Sequence, residues 1–450
     1  MYVATPPPTD GIFGPEGSID SERILNAVQA PQDPRSAKKY LHWDKLRHLE
    51  PGYGLSTEEW WWRIKLFERR PNMRSLPLAD KGGTPFKYSL PDLLLRSLHQ
   101  VDQHCAGEVA MDEVVTSDQQ ARQRFLVNSL MEEAIRSSQL EGATTSRHRA
   151  KEMLRTGRNP EDRSERMILN NYRALQFMRE EMGQKLTPES VLDLHRILTD
   201  GTLDNPDAAG RLQTPEDVRV AVYDRDGGKR LHDPPPAEQL PERLERLCDF
   251  ANEKDSGEIF IHPVVRAVLL HFGLAYDHPF EDGNGRTARI LFFWSMRKSG
   301  YWLAEYLSIS TILREAPSQY GRAFLETETD EGDTTYFLIN QLHVIERAIG
   351  EMRNYLQRKT REIQEIESLL RGARGFNRRQ LELLTNAVRH PDATYSFSGH
   401  ATAQRVTHET ARADLSDLAK RGFLVQRRLG REYLFEPAVD LPDLLRESPA

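Results

Sequence analysis

Cysteine is almost absent from this sequence of 450 residues. Only Cys105 and Cys248 occur, far apart and outside any CxxC pair or metal-type spacing. A disulfide scaffold is therefore not expected, and a reducing compartment fits the composition.

Long apolar runs are also missing. The most apolar stretch, residues 262–280, is interrupted by Arg266 and His271, and no run reaches the roughly 20 residues that span a bilayer. The N-terminus has no basic segment followed by an apolar core, so it does not read as a secretory signal. We expect a soluble, cytoplasmic protein with no membrane partner.

The sequence also lacks an excess of positive charge, since its formal net charge is −7. The overall charge gives no reason to infer a nucleic-acid partner. A length of 450 residues with 38% hydrophobic residues suggests two or three domains, at roughly 150 residues each.

Changes in composition predict five regions along the chain. They are a mobile N-terminal segment rich in Pro, Gly and Asp (1–35), a tryptophan-containing region (36–100), a long helical region (101–336), a charged helical connector (337–375) and a winged helix-turn-helix (376–440).

The tryptophan-containing region holds three adjacent tryptophans, Trp60 to Trp62. Ser56 followed by Glu59 is a capping-box pattern that predicts a helix through them. Three consecutive helical positions do not share one face, so we expect at least one of these rings to pack against another domain or a partner, and the rest to lie in the core.

The predicted fold class is mostly α. Apolar residues recur at helical spacing from 127 to 135, and Thr187 before Pro188 reads as a helix N-cap. One stretch, 218–232, predicts a β-hairpin instead, with a β-branched run and an Asp-Gly-Gly turn before three prolines. The hairpin residues are Val218, Val220, Val222, Asp226, Gly227 and Gly228.

The segment "HPFEDGNGRTAR", residues 278–289, carries the strongest chemical signal. Pro279 predicts that the preceding helix ends and leaves His278 at its end. Phe280 is the one large apolar residue and would anchor the loop in the core. Gly283 and Gly285 permit a backbone nest at the start of the next helix, where unpaired N–H groups attract anions.

Charged residues extend this anion site. Arg286 and Arg289 lie three positions apart on the helix and suit phosphate groups. Asp282 lies beside the nest and is the better placed carboxylate to hold Mg²⁺ against those phosphates. A calcium loop starting at Asp282 fails because Phe293 stands where glutamate is required, and neither zinc spacing nor a Walker A pattern is present.

The segment resembles the signature of the Fic family, HxFx(D/E)GNGRxxR, at every defined position, within a helical region of roughly 100–340. The resemblance implies a Fic-type helical bundle and transfer of AMP from ATP to a Ser, Thr or Tyr hydroxyl of a protein. His278 would be the general base, with Phe280 as anchor and Asp282 as the Mg²⁺ ligand.

The same resemblance assigns the other positions. Gly283, Asn284 and Gly285 would hold the α-phosphate, Arg286 the leaving diphosphate and Arg289 the γ-phosphate. The hairpin would be the flap that docks the target by adding an edge strand. Glycine at 285, where one branch of the family has lysine, argues for AMP transfer over phosphate transfer.

A second stretch, "SSQLEG" at 137–142, resembles the Fic inhibitory motif through Ser137, Glu141 and Gly142. Gly142 reads as the residue that ends a helix, which leaves Glu141 at an unfavourable end of the helix dipole. By resemblance, Glu141 would pair with Arg289 and exclude the γ-phosphate.

The C-terminal region leaves alternatives open. As a DNA reader it would use basic residues of helix 408–420 and of the wing, but Glu409, Asp414 and Asp417 on that helix would repel phosphates. Winged helices also serve in dimerisation and partner docking. The basic residues are His408, Arg412, Lys420, Arg427, Arg428 and Arg431.

The predicted function is therefore an autoinhibited protein adenylyltransferase that uses ATP and Mg²⁺ and could modify itself. Two alternatives remain at this level: an ATP-sensing DNA-binding or docking regulator, and an enzyme of the same fold that mainly removes AMP.

Overall fold

The computed structural model describes residues 4–8, 21–106, 119–180, 183, 185–219, 222–223, 230–252, 260–373, 375–391, 393–429 and 432–447. The chain divides into two compact units, one of residues 1–109 and 125–350, the other of residues 110–124 and 351–450.

Helices dominate the described chain, so the prediction of a mostly α fold is confirmed. The helices up to residue 372 are α1 (Ser21–Gln29), α2 (Pro34–Lys38), α3 (Trp43–Leu46), α4 (Thr57–Arg63), α5 (Asp92–Val101), α6 (Gln119–Leu140), α7 (Arg147–Thr156), α8 (Arg163–Glu180), α9 (Pro188–Thr199), α10 (Leu240–Asn252), α11 (Pro263–Asp277), α12 (Asn284–Lys298), α13 (Ile309–Glu315), α14 (Pro317–Thr329) and α15 (Thr335–Gly372). A π-helix, Ile64–Arg69, continues α4.

Helix α11 lies in the core of the first unit and is buried over almost its whole length. Phe272 packs against Phe86, Phe324 and Phe337, with ring centroids 5.1–5.4 Å apart. Leu247 packs directly against Gly273: a Cβ at position 273 would lie 2.7 Å from the Leu247 side chain. This tight packing fixes the helix end that carries His278.

Short antiparallel hairpins accompany these helices. Strands β1 (Arg74–Ala79) and β2 (Pro85–Tyr88) form one, and β3 (Val222–Tyr223) and β4 (Arg230–His232) form the other, with Val222 opposite His232. The predicted hairpin is therefore present.

Val218 lies outside a strand and is 89% exposed, so its placement in the first strand was wrong; its carbonyl accepts a hydrogen bond from the Gln213 side chain. Val220, Asp226, Gly227 and Gly228 lie outside the described residues.

The tryptophan prediction is corrected by the structure. The capping box of Ser56 and Glu59 is present, but Trp60 and Trp61 are both buried in one cluster and Trp62 packs against it partly buried. Side chains from the preceding segment share this cluster with neighbouring positions of α4; they are Ala30, Leu41, Trp43, Leu46 and Leu55.

Periodic structure also occurs where none was expected near the N-terminus. Residues 21–29 form α1, whose Arg23 lies 3.3 Å from both Glu58 and Glu59 of α4. The Pro-, Gly- and Asp-rich composition of residues 1–35 gave no indication of this ionic attachment.

The second unit contains the end of α15 and a mixed α/β arrangement. Its further elements are α16 (Arg378–Arg389), β5 (Tyr395–Ser396), α17 (Phe397–Gln404), α18 (His408–Lys420), β6 (Leu424–Leu429), β7 (Glu432–Pro437) and α19 (Leu441–Glu447). The strands form one antiparallel sheet in the order β5-β7-β6. This is the succession of elements expected of a winged helix-turn-helix.

Helix α18 is held by the inward residues that its pattern predicts. Ala411, Leu415 and Leu418 are fully buried, and Thr407 caps the helix. Ile366 and Leu370 of the predicted connector belong to the same apolar core, so the end of α15 forms part of this unit.

Within the part of the chain that the structure describes, no helix combines the length and apolar character needed to cross a membrane.

Candidate active site

Helix α11 ends where Pro279 predicts. Its last residue is Asp277, and His278 adopts a left-handed conformation (φ 46°) while its N–H donates to the Leu274 carbonyl at 3.0 Å. A non-glycine residue in this region is strained unless the surroundings hold it. This conformation places the imidazole of His278 at the start of the loop that joins α11 to α12.

Asn284 closes the loop that follows. Its side-chain oxygen accepts from the Phe280 N–H at 2.9 Å and its side-chain nitrogen donates to the Phe280 carbonyl at 2.8 Å. Phe280 is fully buried, as expected of an anchor. The Asn284 side chain is therefore engaged in the loop, and only its backbone N–H is available for a phosphate.

His195 of α9 supports the loop from the opposite side. Its ring stacks on Phe280 with centroids 3.8 Å apart. The Gly210 N–H donates to its Nδ1 at 2.9 Å, so Nε2 carries the hydrogen and donates to the Asp282 carbonyl at 2.9 Å. Burial lowers the pKa of His195 to about 4, which keeps it neutral in this role.

The start of α12 has the backbone geometry that an anion site requires. Gly283 precedes the helix with φ 85°, and a Cβ there would lie 3.1 Å from Thr199. The first N–H groups of a helix have no intrahelical acceptor and carry partial positive charge. Residues 284–286 present these groups.

Glu141 occupies this anion site. A Cβ at Gly285 would lie only 2.2 Å from Glu141 Oε1, so the carboxylate fills the space that the glycine leaves open. Arg289 Nη2 donates to the same oxygen at 2.8 Å, and Arg289 Nε donates to Ser137 Oγ at 2.9 Å. Arg289 is 1% exposed, whereas the Glu141 side chain is 30% exposed, so the guanidinium is buried and the carboxylate still reaches solvent.

Helix α6 and the residue that follows it bring Ser137 and Glu141 to Arg289. The helix ends at Leu140, and Gly142 adopts φ 100° just beyond it. One face of the helix also carries Glu133, which accepts from the Ser310 hydroxyl at 2.5 Å, the Ser310 N–H at 3.1 Å and the Ser308 hydroxyl at 3.0 Å. Glu133 therefore fixes the helix two turns before Glu141.

Arg286 is placed differently from Arg289. It is fully buried, donates to the Leu198 carbonyl at 3.3 Å and lies 3.2 Å from Asp282 Oδ2. Arg286 and Arg289 lie on one face of α12, but their guanidinium groups contact different partners.

A cavity of about 280 Å³ joins these groups. Glu141, His278 and Gly285 line one part, aromatic and apolar side chains such as Tyr320, Phe324 and Leu325 line another, and His232 and Glu328 complete the lining. The cavity is thus polar at the helix start and apolar opposite it, which suits a ligand with a phosphate end and an aromatic end.

The imidazole of His278 is neutral near pH 7. Burial lowers its pKa to about 4, and the neighbouring His232 acts in the same direction. Arg219 fixes the backbone there by donating to the carbonyls of Asp277 and His278, at 2.9 and 3.0 Å. Its guanidinium also donates to the Pro235 carbonyl at 3.0 Å and so ties the residues flanking the hairpin to the loop.

Residues 185–296 match the sequence pattern of the Fic/DOC family. The chain therefore contains a Fic domain. Protein adenylyltransferase Fic of Nematostella vectensis is 33% identical over 137 residues, which are 30% of this chain and 29% of that protein. Protein adenylyltransferase fic-1 of Caenorhabditis elegans is 30% identical over 169 residues, 36% of this chain and 30% of the relative.

The matched region is thus about 30% of the length of these relatives. The crystal structure of a Fic family protein from Desulfovibrio desulfuricans G20 has a TM-score of 0.52 and 17% identity, and covers 78% of this chain and 97% of its own. This likeness shows the fold of the Fic domain and the helices around it.

Two supporting residues of the Fic domain were not predicted from the sequence. His195 and Arg219 are single residues without a motif, and their partners are backbone groups far along the chain. Ser137, Glu141 and Gly142 lie outside the matched residues 185–296 and were predicted from a second motif.

Proposed function

We propose that this protein transfers AMP from ATP to a hydroxyl of a protein side chain, and that Glu141 restrains the reaction. The observation that supports it most directly is that His278, the start of α12 and an apolar wall share one cavity of about 280 Å³. A base, an anion site and room for a nucleoside are the three requirements of this transfer.

ATP would bind with its phosphates at the start of α12. The N–H groups of Asn284 and Gly285 would hold the α-phosphate and Arg289, once released from Glu141, the γ-phosphate. Arg286, whose guanidinium donates to Asp282, would balance the charge of the leaving diphosphate. The adenosine would lie against the apolar wall near Tyr320 and Phe324.

The chemical step would be an in-line displacement. The oxygen of a Ser, Thr or Tyr hydroxyl attacks the α-phosphorus, the bond from that phosphorus to the bridging oxygen breaks, and diphosphate leaves. His278 takes the hydroxyl proton. The products are the AMP-modified protein and diphosphate.

Mg²⁺ fits the site as a phosphate-bound ion. Asp282 has a side chain 44% exposed, although its oxygens already accept from the Gly283 N–H and lie near Arg286. Among the described residues no group of three or more His, Cys, Asp or Glu could hold a metal by itself. One carboxylate together with phosphate oxygens and water is the usual arrangement for Mg²⁺, and the ion would offset phosphate charge when bound.

The target would dock at the hairpin formed by β3 and β4. An exposed hairpin edge accepts a further extended segment through backbone hydrogen bonds. Such pairing uses backbone hydrogen bonds and does not require a particular sequence. Segments of this chain itself are therefore also candidate targets. This role for the hairpin stays a proposal.

The mass of a protein before and after incubation with Mg²⁺ and ATP tests the proposal. The Glu141→Gly variant, with a peptide library rich in Ser, Thr and Tyr, is expected to yield adducts with the mass of AMP on the peptides or on itself. Adducts with the mass of phosphate would point to phosphate transfer instead. Bound ATP without any adduct, or release of AMP from a modified peptide as the sole reaction, would contradict the proposal and favour a sensor or an AMP-removing enzyme respectively.

The pH profile is expected to reflect the lowered pKa of His278. The base must be neutral, so activity is lost as pH falls through its pKa, and a value of about 4 leaves it competent throughout the usual range. The kcat/KM of Glu141→Gly at saturating Mg²⁺ should stay within about twofold from about pH 6 to about pH 8. A midpoint near the ordinary histidine value would contradict this assignment.

Arg219→Ala is expected to lower kcat with little change in KM for ATP. The substitution removes the donors that hold the Asp277 and His278 carbonyls, so the base loses its position while the phosphate site remains. In the Glu141→Gly background we expect a loss of about 10- to 100-fold. Arg211→Ala, which removes an exposed ion pair with Asp217, is the matched control, and an equal loss in both variants would exclude a positioning role.

A further inference from the structure

The region around the C-terminal sheet differs in charge from the chain as a whole. Residues 376–437 contain ten arginines and lysines against seven aspartates and glutamates, whereas the whole chain has a net charge of −7. The adenylyltransferase site does not use this local positive charge.

Of the acids that weigh against a phosphate partner, Asp414 is buried, and Asp417 is paired although its side chain is 48% exposed. Asp414 has a side chain only 4% exposed and accepts from Arg379 at 2.7 Å and from Asn377 at 2.7 Å. Asp417 accepts from the Gln380 side chain at 2.9 Å and lies 3.4 Å from Arg421. Of the three acids on α18, Glu409 alone is exposed without such a partner among the described residues.

The outer side of α18 carries a different set of residues. His408, Arg412, Ser416 and Lys420 are spaced by four positions, so they lie along one face, and all are exposed. We call them the α18 stripe. Within the part of the chain that the structure describes, Arg412 and Lys420 make no ion pair, and the helix of 13 residues presents them over roughly 20 Å.

The β6–β7 hairpin adds basic residues next to α18 in the chain. Arg427 and Arg428 are exposed near its turn, in register with Leu434 and Tyr433. Arg427 lies 3.2 Å from Glu436, but its side chain is still 68% exposed. Arg405, in the turn before α18, is exposed as well.

We propose that this unit binds duplex DNA, with the α18 stripe in the major groove and the β6–β7 hairpin on the phosphates. A major groove about 12 Å wide admits one helix. Residues near the start of a recognition helix reach base edges, which assigns that role to His408 and Arg412. Lys420, Arg427 and Arg428 contact the backbone and set the affinity. If this face formed a symmetric dimer, the positive charges of the α18 stripe would lie opposite the same charges of the second copy across the two-fold axis. Such like-charge contacts disfavour dimerisation through this face.

Fluorescence anisotropy of a labelled mixed-sequence duplex of about 30 base pairs, without nucleotide, tests this in the full chain. Wild type is expected to bind at about 50 mM salt, with an affinity that falls steeply as salt rises. Arg412→Ala/Lys420→Ala should weaken binding about tenfold or more and lower the slope of log K against log salt by about two. Arg389→Ala, which removes an exposed arginine paired with Glu367, is the matched control and should change neither.

Two results would overturn the proposal: no binding by wild type at low salt, or an equal loss of binding in the control variant. Circular dichroism melts check folding, since both substituted residues are exposed. The assay contains no ATP, so its outcome is independent of AMP transfer.

Discussion

Glu141→Gly is expected to raise AMP transfer about 10- to 100-fold. The carboxylate fills the space above Gly285 and accepts from Arg289 at 2.8 Å, where we expect phosphate oxygens to bind. A charge-assisted hydrogen bond of this kind contributes about 1.5–3 kcal/mol, and 1.4 kcal/mol corresponds to a factor of ten. Because Glu141 follows the last residue of α6, glycine there does not interrupt the helix.

The rate of AMP incorporation at saturating ATP measures this effect, and the affinity for ATP reports the unblocked phosphate site. Glu132→Gln is the matched control, because Glu132 lies on the same helix and pairs with Arg136 and Arg147. Activity of Glu141→Gly at or below that of wild type would rule out the inhibitory role.

His278→Ala in the Glu141→Gly background is expected to lower the rate by about 10²- to 10⁴-fold, the usual contribution of a positioned general base. ATP binding should persist, because the phosphate contacts come from α12 and Arg289 and not from the imidazole. The combination of retained binding and lost turnover identifies a base.

Single-turnover rates and ATP affinity, measured on the same preparations, separate the two effects. His343→Ala, which alters an exposed histidine of α15, should match the parent. A rate within about threefold of the parent after His278→Ala would show that another group, or water, takes the proton.

The central loop could be predicted in detail because its signals are local. Pro279 ends a helix, glycines permit left-handed backbone, and a helix start attracts anions whatever the rest of the fold does. Glu141 could be placed through its own motif, and the structure brings it to Arg289 across 148 positions of sequence.

Contacts that depend on packing were not predictable in the same way. The Asn284 side chain closes the loop around Phe280, although its sequence position suits a phosphate equally well. His195 serves the loop through two backbone groups, and a lone histidine gives no pattern to find. Asp414 is likewise buried, and its charge is balanced by an ion pair with Arg379. The sequence shows Asp414 only as an acid on a helix.

The tryptophans show the same limit in the core. The capping box predicted α4 correctly, but whether Trp62 joins Trp60 and Trp61 depends on the segments that enclose the helix. Helical periodicity assigns faces, and it does not say how many of those faces other elements cover.

The most direct test uses ATP labelled on either the α- or the γ-phosphate, with Mg²⁺, in three proteins: wild type, Glu141→Gly and Glu141→Gly/His278→Ala. The account predicts protein-bound label from α-labelled ATP only, weak in wild type, strong in the single variant and lost in the double variant. Label from the γ-position, or equal α-label in the single and double variants, would contradict it.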